Sequence, residues 1–431
     1  MRKNRVDVIT MGCSKNLIDS ELLMRQFALN GYNVEHDAEV PSGEIVVINT
    51  CGFIEAAREE SINTIMELVQ AKKQGEIGQL YVMGCLSERY MKELQKEIPE
   101  VDRFYGKFNW KELIQDLGKA YHTTPADARL QSTPQHYAFV KVSEGCDRTC
   151  AYCSIPLITG KHISRPMEEI ITEVESLARQ GVKELQLIAQ EITYYGRDLY
   201  HKAMITPLLK ELCKIEGIEW IRLHYAYPNN FPTDLLTTIR QEPKICKYLD
   251  IALQHISDHM LTLMRRNVTK KETIQLIKKI RQEVPDIYLR TTLMVGHPGE
   301  SEEDFQELLN FVEETRFERL GAFIYSHEEG TYGYQHYKDE IPTQVKQERL
   351  DQLMTLQESI ALQQAERLVG TEAKVIIDRK SGDYYIARTQ YDSPDVDPEV
   401  LVEAKQLQIG QFYNVQITQA LGYDTIAKVI K

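Results

Sequence analysis

The stretch Ser143-Glu144-Gly145-Cys146-Asp147-Arg148-Thr149-Cys150-Ala151-Tyr152-Cys153 places three thiols in one short loop. It stands directly behind the β-type run Tyr137-Ala-Phe-Val-Lys-Val-Ser143. A metal is the first reading of such a triplet. Zinc sites usually take four ligands grouped in pairs, with histidine common among them, and neither a second pair nor a fittingly spaced histidine follows. Iron–sulfur clusters favour thiolates and usually take four. Three would leave one iron without a protein ligand, and an open metal position is where catalysis takes place. Three buried free thiols are the plainer alternative, but cysteine triplets in a reducing compartment mostly bind metal or do redox chemistry.

Outward from the loop, residues 136–342 alternate strand and helix patterns. Strands are expected near 137–142, 184–190, 219–226, 248–254, 287–295 and 319–325, with helices such as Met167 to Gln180 between them. Six such units predict a partial (β/α)6 barrel, whose site lies at the C-terminal ends of its strands. The cysteine loop follows the first strand and so falls on that face. Gln190-Glu191, His224 to Pro228, Gln254-His255 and Gly296 to Glu300 stand at the other strand ends. Each histidine taken singly reads as a packed or solvated residue. Cys213 and Cys246 read as core or spare thiols.

Residues 1–120 carry three further strand patterns, each ending at a cysteine: Val6 to Met11 before Cys13, Glu44 to Asn49 before Cys51, and Gln79 to Met83 before Cys85. Alternation with helices predicts a doubly wound parallel sheet. Ligands bind such sheets along the C-terminal edge, so Cys13, Cys51 and Cys85 are expected to converge as a second metal site. Three small buried apolar residues are the competing account. Residues 121–135, with Thr123-Thr-Pro125 and Thr133-Pro134, read as a linker. A polar connecting helix is expected over 343–366. Period-two patterning over 367–431 then predicts a small antiparallel β-barrel. Such barrels often hold RNA, yet acidic side chains outnumber basic ones here, and Asp392-Ser-Pro-Asp-Val-Asp-Pro-Glu399 is an acidic loop, either a solvated turn or a functional one.

The 431 residues are ample for several domains, and 42% apolar with 27% charged residues is ordinary globular composition. The basic start has no apolar run long enough for a signal peptide, and no segment reaches membrane-spanning length, which predicts a cytoplasmic protein with reduced cysteines. The net charge of −13 suits a basic partner better than a nucleic-acid backbone.

Cys146-x3-Cys150-x2-Cys153, with an aromatic residue before the last cysteine, resembles the radical SAM motif. Together with the N-terminal triplet, the barrel and the small TRAM-like β domain, the chain resembles the radical SAM methylthiotransferases over nearly its whole length. Gly12 to Glu21, Ser143 to Cys146, Ser164-Arg-Pro166, Leu253-Gln-His-Ile256, Met264-Arg-Arg266 and Val295 to Glu300 carry the likeness. Lys15-Asn16 with Asp19-Ser20, the Gln-His-Ile stretch and the acidic loop are similar to the RimO branch, which modifies an aspartate of small-subunit ribosomal protein S twelve. The sister MiaB branch modifies an adenosine of tRNA. Two positions depart from the common pattern: Thr159, where many members have Arg, and His297, where many have Phe.

The resemblance implies an enzyme with two 4Fe–4S clusters, one on Cys146, Cys150 and Cys153 and one on Cys13, Cys51 and Cys85. S-adenosylmethionine would be both methyl donor and radical source. Its cleavage would give a deoxyadenosyl radical that takes hydrogen from the aspartate β-carbon, and the second cluster would deliver sulfur. Tyr152, Gln190, Arg265 and Gly296 are the implied cofactor contacts. An electron donor such as flavodoxin or ferredoxin and a sulfur source are implied partners. A tRNA substrate is the first alternative, disfavoured by the acidic charge. A non-catalytic iron–sulfur protein for electron transfer or storage is the second, and it leaves the barrel unexplained.

Overall fold

The computed structural model describes residues 1–122 and 129–430. Thr123-Thr-Pro125 of the expected linker and Lys431 lie outside them. The chain forms two compact units: Met1–Thr133 with Phe139–Arg148 and Cys153–Ser176, and Pro134–Ala138 with Thr149–Tyr152 and Leu177–Lys431.

In the first unit, β1 (Arg2–Thr10), β2 (Asn33–His36), β3 (Gly43–Thr50), β4 (Gln79–Gly84) and β5 (Arg103–Phe104) form a parallel sheet in the order β2-β1-β3-β4-β5. Helices α1 (Ser14–Leu29), α2 (Glu55–Lys73), α3 (Cys85–Glu97) and α4 (Trp110–Asp116) cover it. Successive strand residues point to opposite faces, and both faces are apolar. Ile45, Val47 and Met83 pack with Leu23 and Phe27 of α1 and Leu113 of α4. Val46, Ile48 and Val82 pack with Ile65 and Val69 of α2 and Leu94 of α3. The sheet is doubly wound, as the run of β-branched residues in β3 demands. The described part of the expected linker has no helix or strand, but it is tied down. Arg129 pairs with Glu21 at 3.3 Å and donates to the Phe139 carbonyl at 2.5 Å, while Ser132 donates twice to Glu21.

Strand β6 (Tyr137–Lys141) leads to a two-residue ribbon, β7 (Ser143–Glu144) against β8 (Ile163–Ser164), and the cysteine loop and α5 (Ile155–Thr159) lie between its arms. Helix α6 (Met167–Arg179) follows. The larger sheet is completed by β9 (Glu184–Ile188), β10 (Trp220–Ala226), β11 (Ile245–Gln254), β12 (Tyr288–Val295) and β13 (Arg319–Ile324), in the order β13-β12-β11-β10-β9-β6 with parallel pairing from β9 to β13. Consecutive strands are neighbours, joined by α7 (Ile205–Cys213), α8 (Asp234–Gln241), α9 (Asp258–Leu263), α10 (Lys270–Glu283) and α11 (Glu302–Thr315). This is the expected open (β/α)6 barrel.

After α12 (Tyr332–His336) and the long α13 (Thr343–Leu368) come β14 (Glu372–Ser381), β15 (Tyr384–Thr389), β16 (Val400–Glu403), β17 (Phe412–Leu421) and β18 (Asp424–Val429). They close into a barrel, β14-β15-β16-β18-β17, in which every pairing is antiparallel except β16 with β18.

The small barrel is held at the N-terminal ends of the core strands. Glu184, the first residue of β9, pairs with Arg222 at 2.9 Å and with Arg388 at 2.7 Å. Phe412 meets Trp220 edge-on at 4.7 Å. The acidic loop is spent here. Asp392 binds Arg319 at 2.5 Å, and Asp397 binds Arg290 at 2.6 Å and accepts from the Tyr248 hydroxyl at 2.8 Å. Asp392 and Asp397 are thus buried ion-pair partners rather than solvated turn residues, and they face away from the C-terminal strand ends.

Candidate metal and cofactor sites

In the first sheet the chain runs one way from β1 to β2 and the other way from β3 outward. The switch point therefore lies between β1 and β3. Cys13 and Cys51 follow those two strands, and Cys85 follows β4 beside them, so the three thiols stand on adjacent strand ends. Gly12 is required by this crowding: its φ is +90°, and a Cβ there would stand 2.8 Å from the Cys51 Sγ. Cys13 precedes α1 and Cys85 opens α3, where helix N-termini favour thiolates. Burial nevertheless dominates. It pushes the Cys85 thiol up to about 12, with Lys107 pulling the other way and Cys13 and Cys51 adding to the rise. Burial also raises Cys51, with Cys13 contributing. No three metal-ligating side chains form a closed set among the described residues. A soft, all-thiol donor set on adjacent strand ends fits an iron–sulfur cluster better than a hard cation.

Cys146, Cys150 and Cys153 share the loop between β7 and β8, and all three are half-buried and free of disulfides. The Cys146 amide donates to the Gly160 carbonyl at 3.2 Å, and the His162 amide to Asp147 at 3.0 Å. In the second unit, Cys150 Sγ lies 3.3 Å from a guanidinium nitrogen of Arg266 and 3.6 Å from the Tyr227 hydroxyl. Arg266 is buried, stacks 4.1 Å from the Tyr227 ring centroid, and donates to the Tyr152 hydroxyl at 3.2 Å. Tyr152 rests on a floor of Met260, Met264, Met294 and Tyr325.

The other expected contacts are placed as follows. Gln190 stands half-buried just past β9. Arg265 lies over the Tyr332 ring at 4.2 Å, and it is Arg266, one residue on, that reaches Cys150. Two adjacent arginines gave no signal for which one turns inward. Gly296 is a close-approach glycine, but its neighbour is the Lys346 side chain of α13, 2.4 Å from where a Cβ would stand. The Lys346 side chain therefore lines the Gly296 turn on that side. Gln254, the last residue of β11, is placed at a strand end by the sequence but is not among the expected cofactor contacts. It is buried, its φ is +73°, and its Oε1 has no hydrogen-bond partner. A strained backbone and an orphaned acceptor at a strand end mark a ligand position, which fits a polar cofactor such as S-adenosylmethionine.

His297, the residue that departs from the common phenylalanine, behaves as an aromatic ring. It meets Tyr325 and Tyr337 edge-on at 4.8 and 5.7 Å, its Nδ1 donates to the Pro298 carbonyl, and its Nε2 has no partner. Burial pushes its pKa down to about 4. The folded value lies below the unfolded value of 6.5, so its stability contribution is complete above pH 6.5 and is lost as pH falls toward 4. His297→Phe is therefore expected to be neutral or stabilising at pH 7 and to recover about 2 kcal/mol at pH 5, measured by urea unfolding of both chains at the two pH values.

Three family descriptions match the chain: "Radical SAM superfamily" over residues 140–312, "Uncharacterized protein family UPF0004" over 5–106, and "TRAM domain" over 369–430. A Kitasatospora setae radical S-adenosylmethionine methyltransferase, TsrM, has a similar fold, with TM-score 0.58 at 13% identity over 88% of this chain and 79% of that one. Relatives called ribosomal protein uS12 methylthiotransferase RimO are 61% identical in Parabacteroides distasonis and 59% in Porphyromonas gingivalis, each over 100% of both chains. Another in Christiangramia forsetii is 51% identical over 98% of this chain and 94% of its own. Fold and sites together define a radical SAM methylthiotransferase with an N-terminal parallel-sheet domain and a C-terminal TRAM barrel. Within that class, the chain belongs to the ribosomal protein uS12 methylthiotransferase (RimO) family.

Proposed function

We propose that this chain adds a methylthio group to the β-carbon of an aspartate in ribosomal protein uS12. The observation that carries the reading is the presence of two thiol triplets, one on adjacent strand ends of a parallel sheet and one in the loop between β7 and β8, in a chain with full-length relatives of that name. In this reading Cys146, Cys150 and Cys153 hold a 4Fe–4S cluster that engages S-adenosylmethionine, and Cys13, Cys51 and Cys85 hold a second. Bound together, these groups supply the electron, the radical, the sulfur and the methyl group that breaking an unactivated C–H bond requires, chemistry beyond any side chain.

The protein's own part is binding, orientation and exclusion of water. Arg266 fixes Cys150 and Tyr152 in one hydrogen-bonded set and brings a buried positive charge to the thiolate. Tyr152 and its methionine floor give the cofactor an apolar wall. Gln254 offers an acceptor that needs no reorganisation, with Gln190 and Arg265 as further contacts along the same edge. Cys13 is exposed, so a cluster held by the N-terminal thiols would be open on that side.

Domain limits in this reading are 1–120, 136–342 and 367–431, joined by the segments 121–135 and 343–366. A flavodoxin or ferredoxin would supply electrons, a separate donor would supply sulfur, and a ribosomal substrate places the work in the cytoplasm. No helix among the described residues is long and apolar enough to cross a membrane. Mass spectrometry of small-subunit proteins and tRNA from a deletion strain tests the substrate. The uS12 aspartate should lose its added mass. Retention of that mass together with loss from a tRNA adenosine would move the function to the tRNA branch.

A further inference from the structure

Lys107 lies on no strand or helix, yet its side chain is only 2% exposed. Its ammonium donates to Asp19 at 2.6 Å and to Asn16 Oδ1 at 3.4 Å, and it lies 3.9 Å from Glu144. Asp19 also takes Lys141 at 2.6 Å, and Lys141 pairs with Glu144 at 2.7 Å, so Lys107 and Lys141 together face Asp19 and Glu144. Asn16 is locked. Its Nδ2 donates to the Met11 and Thr50 carbonyls at 3.1 and 3.0 Å, which turns Oδ1 toward both Lys107 and the Cys85 thiol, itself 3.4 Å away. Met11 and Thr50 immediately precede the turns that carry Cys13 and Cys51, so one amide ties all three strand ends to the lysine. A buried ammonium is costly unless it answers a charge. Three thiolates on a cluster are such a charge, and the thiol proton that Asn16 now accepts is the one that metal binding removes.

We infer that Lys107 is a positioning residue for the N-terminal triplet, its buried ammonium offsetting, across Asn16, the negative charge of Cys13, Cys51 and Cys85 when they bind a cluster. The inference rests on the proposed reading of those cysteines as ligands. Positive charge favours the reduced cluster, so removing it lowers the reduction potential.

The test uses the full chain carrying C146A, C150A and C153A, reconstituted anaerobically with iron and sulfide so that only the N-terminal triplet is loaded. Adding Lys107→Met should either abolish iron uptake or shift reduction about tenfold against the reduced form, about 59 mV downward for one electron. Lys107→Arg should keep iron and potential close to the parent. The double change Lys107→Met with Asp19→Asn removes both charges of the pair, so it should bring the potential part of the way back toward the parent, whereas fold damage from the lost side chain would persist. Equal iron and equal potential in the Lys107→Met and parent chains would overturn the inference. So would an arginine variant that falls with the methionine one. A parent chain that takes up no iron, while the chain with native Cys146, Cys150 and Cys153 does, would instead overturn the ligand reading itself and the inference with it.

Discussion

Cys150→Ala is expected to abolish both methylthio transfer and reductive cleavage of S-adenosylmethionine, by at least about a thousandfold. That exceeds the ~10–100-fold typical of losing a residue behind the ligands. The thiol cannot be replaced locally. The nearest groups to its Sγ are the Arg266 guanidinium and the Tyr227 hydroxyl, one a cation and the other a phenol already donating to the Arg266 carbonyl at 2.8 Å. Neither ligates iron in its place, and a guanidinium beside a missing thiolate repels the metal instead. Release of deoxyadenosine after anaerobic reduction should vanish, and bound iron should fall by about half, as expected for one of two Cys-held clusters. Cys85→Ala makes the contrast. It should also cost about half the iron, yet leave deoxyadenosine release in place and lose sulfur addition. If Cys150→Ala still cleaves S-adenosylmethionine, the loop is not the radical site. If Cys85→Ala abolishes cleavage, the two triplets are not separate centres.

What the sequence made legible was whatever depends on period and order. β3 reads as a strand because Ile45 to Ile48 are apolar on both faces, and its place beside β1 follows from the doubly wound pattern that two further strand-helix units share. That order alone puts Cys13, Cys51 and Cys85 side by side. The elements that escaped are those with little local signal. β2 is four half-exposed residues, β5 is two, and α4 is seven. Each is held by neighbours rather than by its own pattern. Side-chain direction escaped as well. Arg265 and Arg266 are identical letters, and only the left-handed turn at Arg265, with φ +55°, sends one to Tyr332 and the other to Cys150. The acidic loop stayed open between two readings for a related reason. Composition counts carboxylates, but Asp392 and Asp397 are matched by Arg319 and Arg290, which sit more than seventy and a hundred residues away in sequence. Long-range pairing of this kind leaves no mark in a local window.

Long-range pairing also sets a large stability effect at Glu184. Glu184 is fully buried between two arginines, with Oε1 accepting from Arg222 at 2.9 Å and from Arg388 at 3.1 Å, and Oε2 accepting from Arg388 at 2.7 Å. Arg388 also holds Asp378, which in turn holds His136 at 2.7 Å. Arg222 has no second carboxylate among its described contacts, which are the Gln390 and Thr389 carbonyls and the Tyr248 ring at 4.9 Å. Glu184→Gln therefore leaves Arg222 as a buried cation without a counter-charge, a change that costs about 3–5 kcal/mol. At ~2–4 °C per kcal/mol for a unit of this size, the transition of the second unit should fall by about 6–20 °C. The pH dependence has a definite sign. Burial raises the Glu184 carboxyl, but Arg388 and Arg222 outweigh it and hold the folded value below the ordinary 4.5. Its stability contribution is then present above pH 4.5 and lost as pH falls through the lower folded value. The glutamine chain should lose that part of the acid slope, so the gap between wild type and variant narrows in acid. Because Glu184 opens β9 while the cofactor residues stand at the opposite strand ends, iron content and deoxyadenosine release at 20 °C or so should persist in the folded variant. A melting point within about 2 °C of wild type at pH 7.5 would show that the two arginines find other partners, and that the barrel is held to the core by its apolar contacts at Trp220 and Phe412 instead.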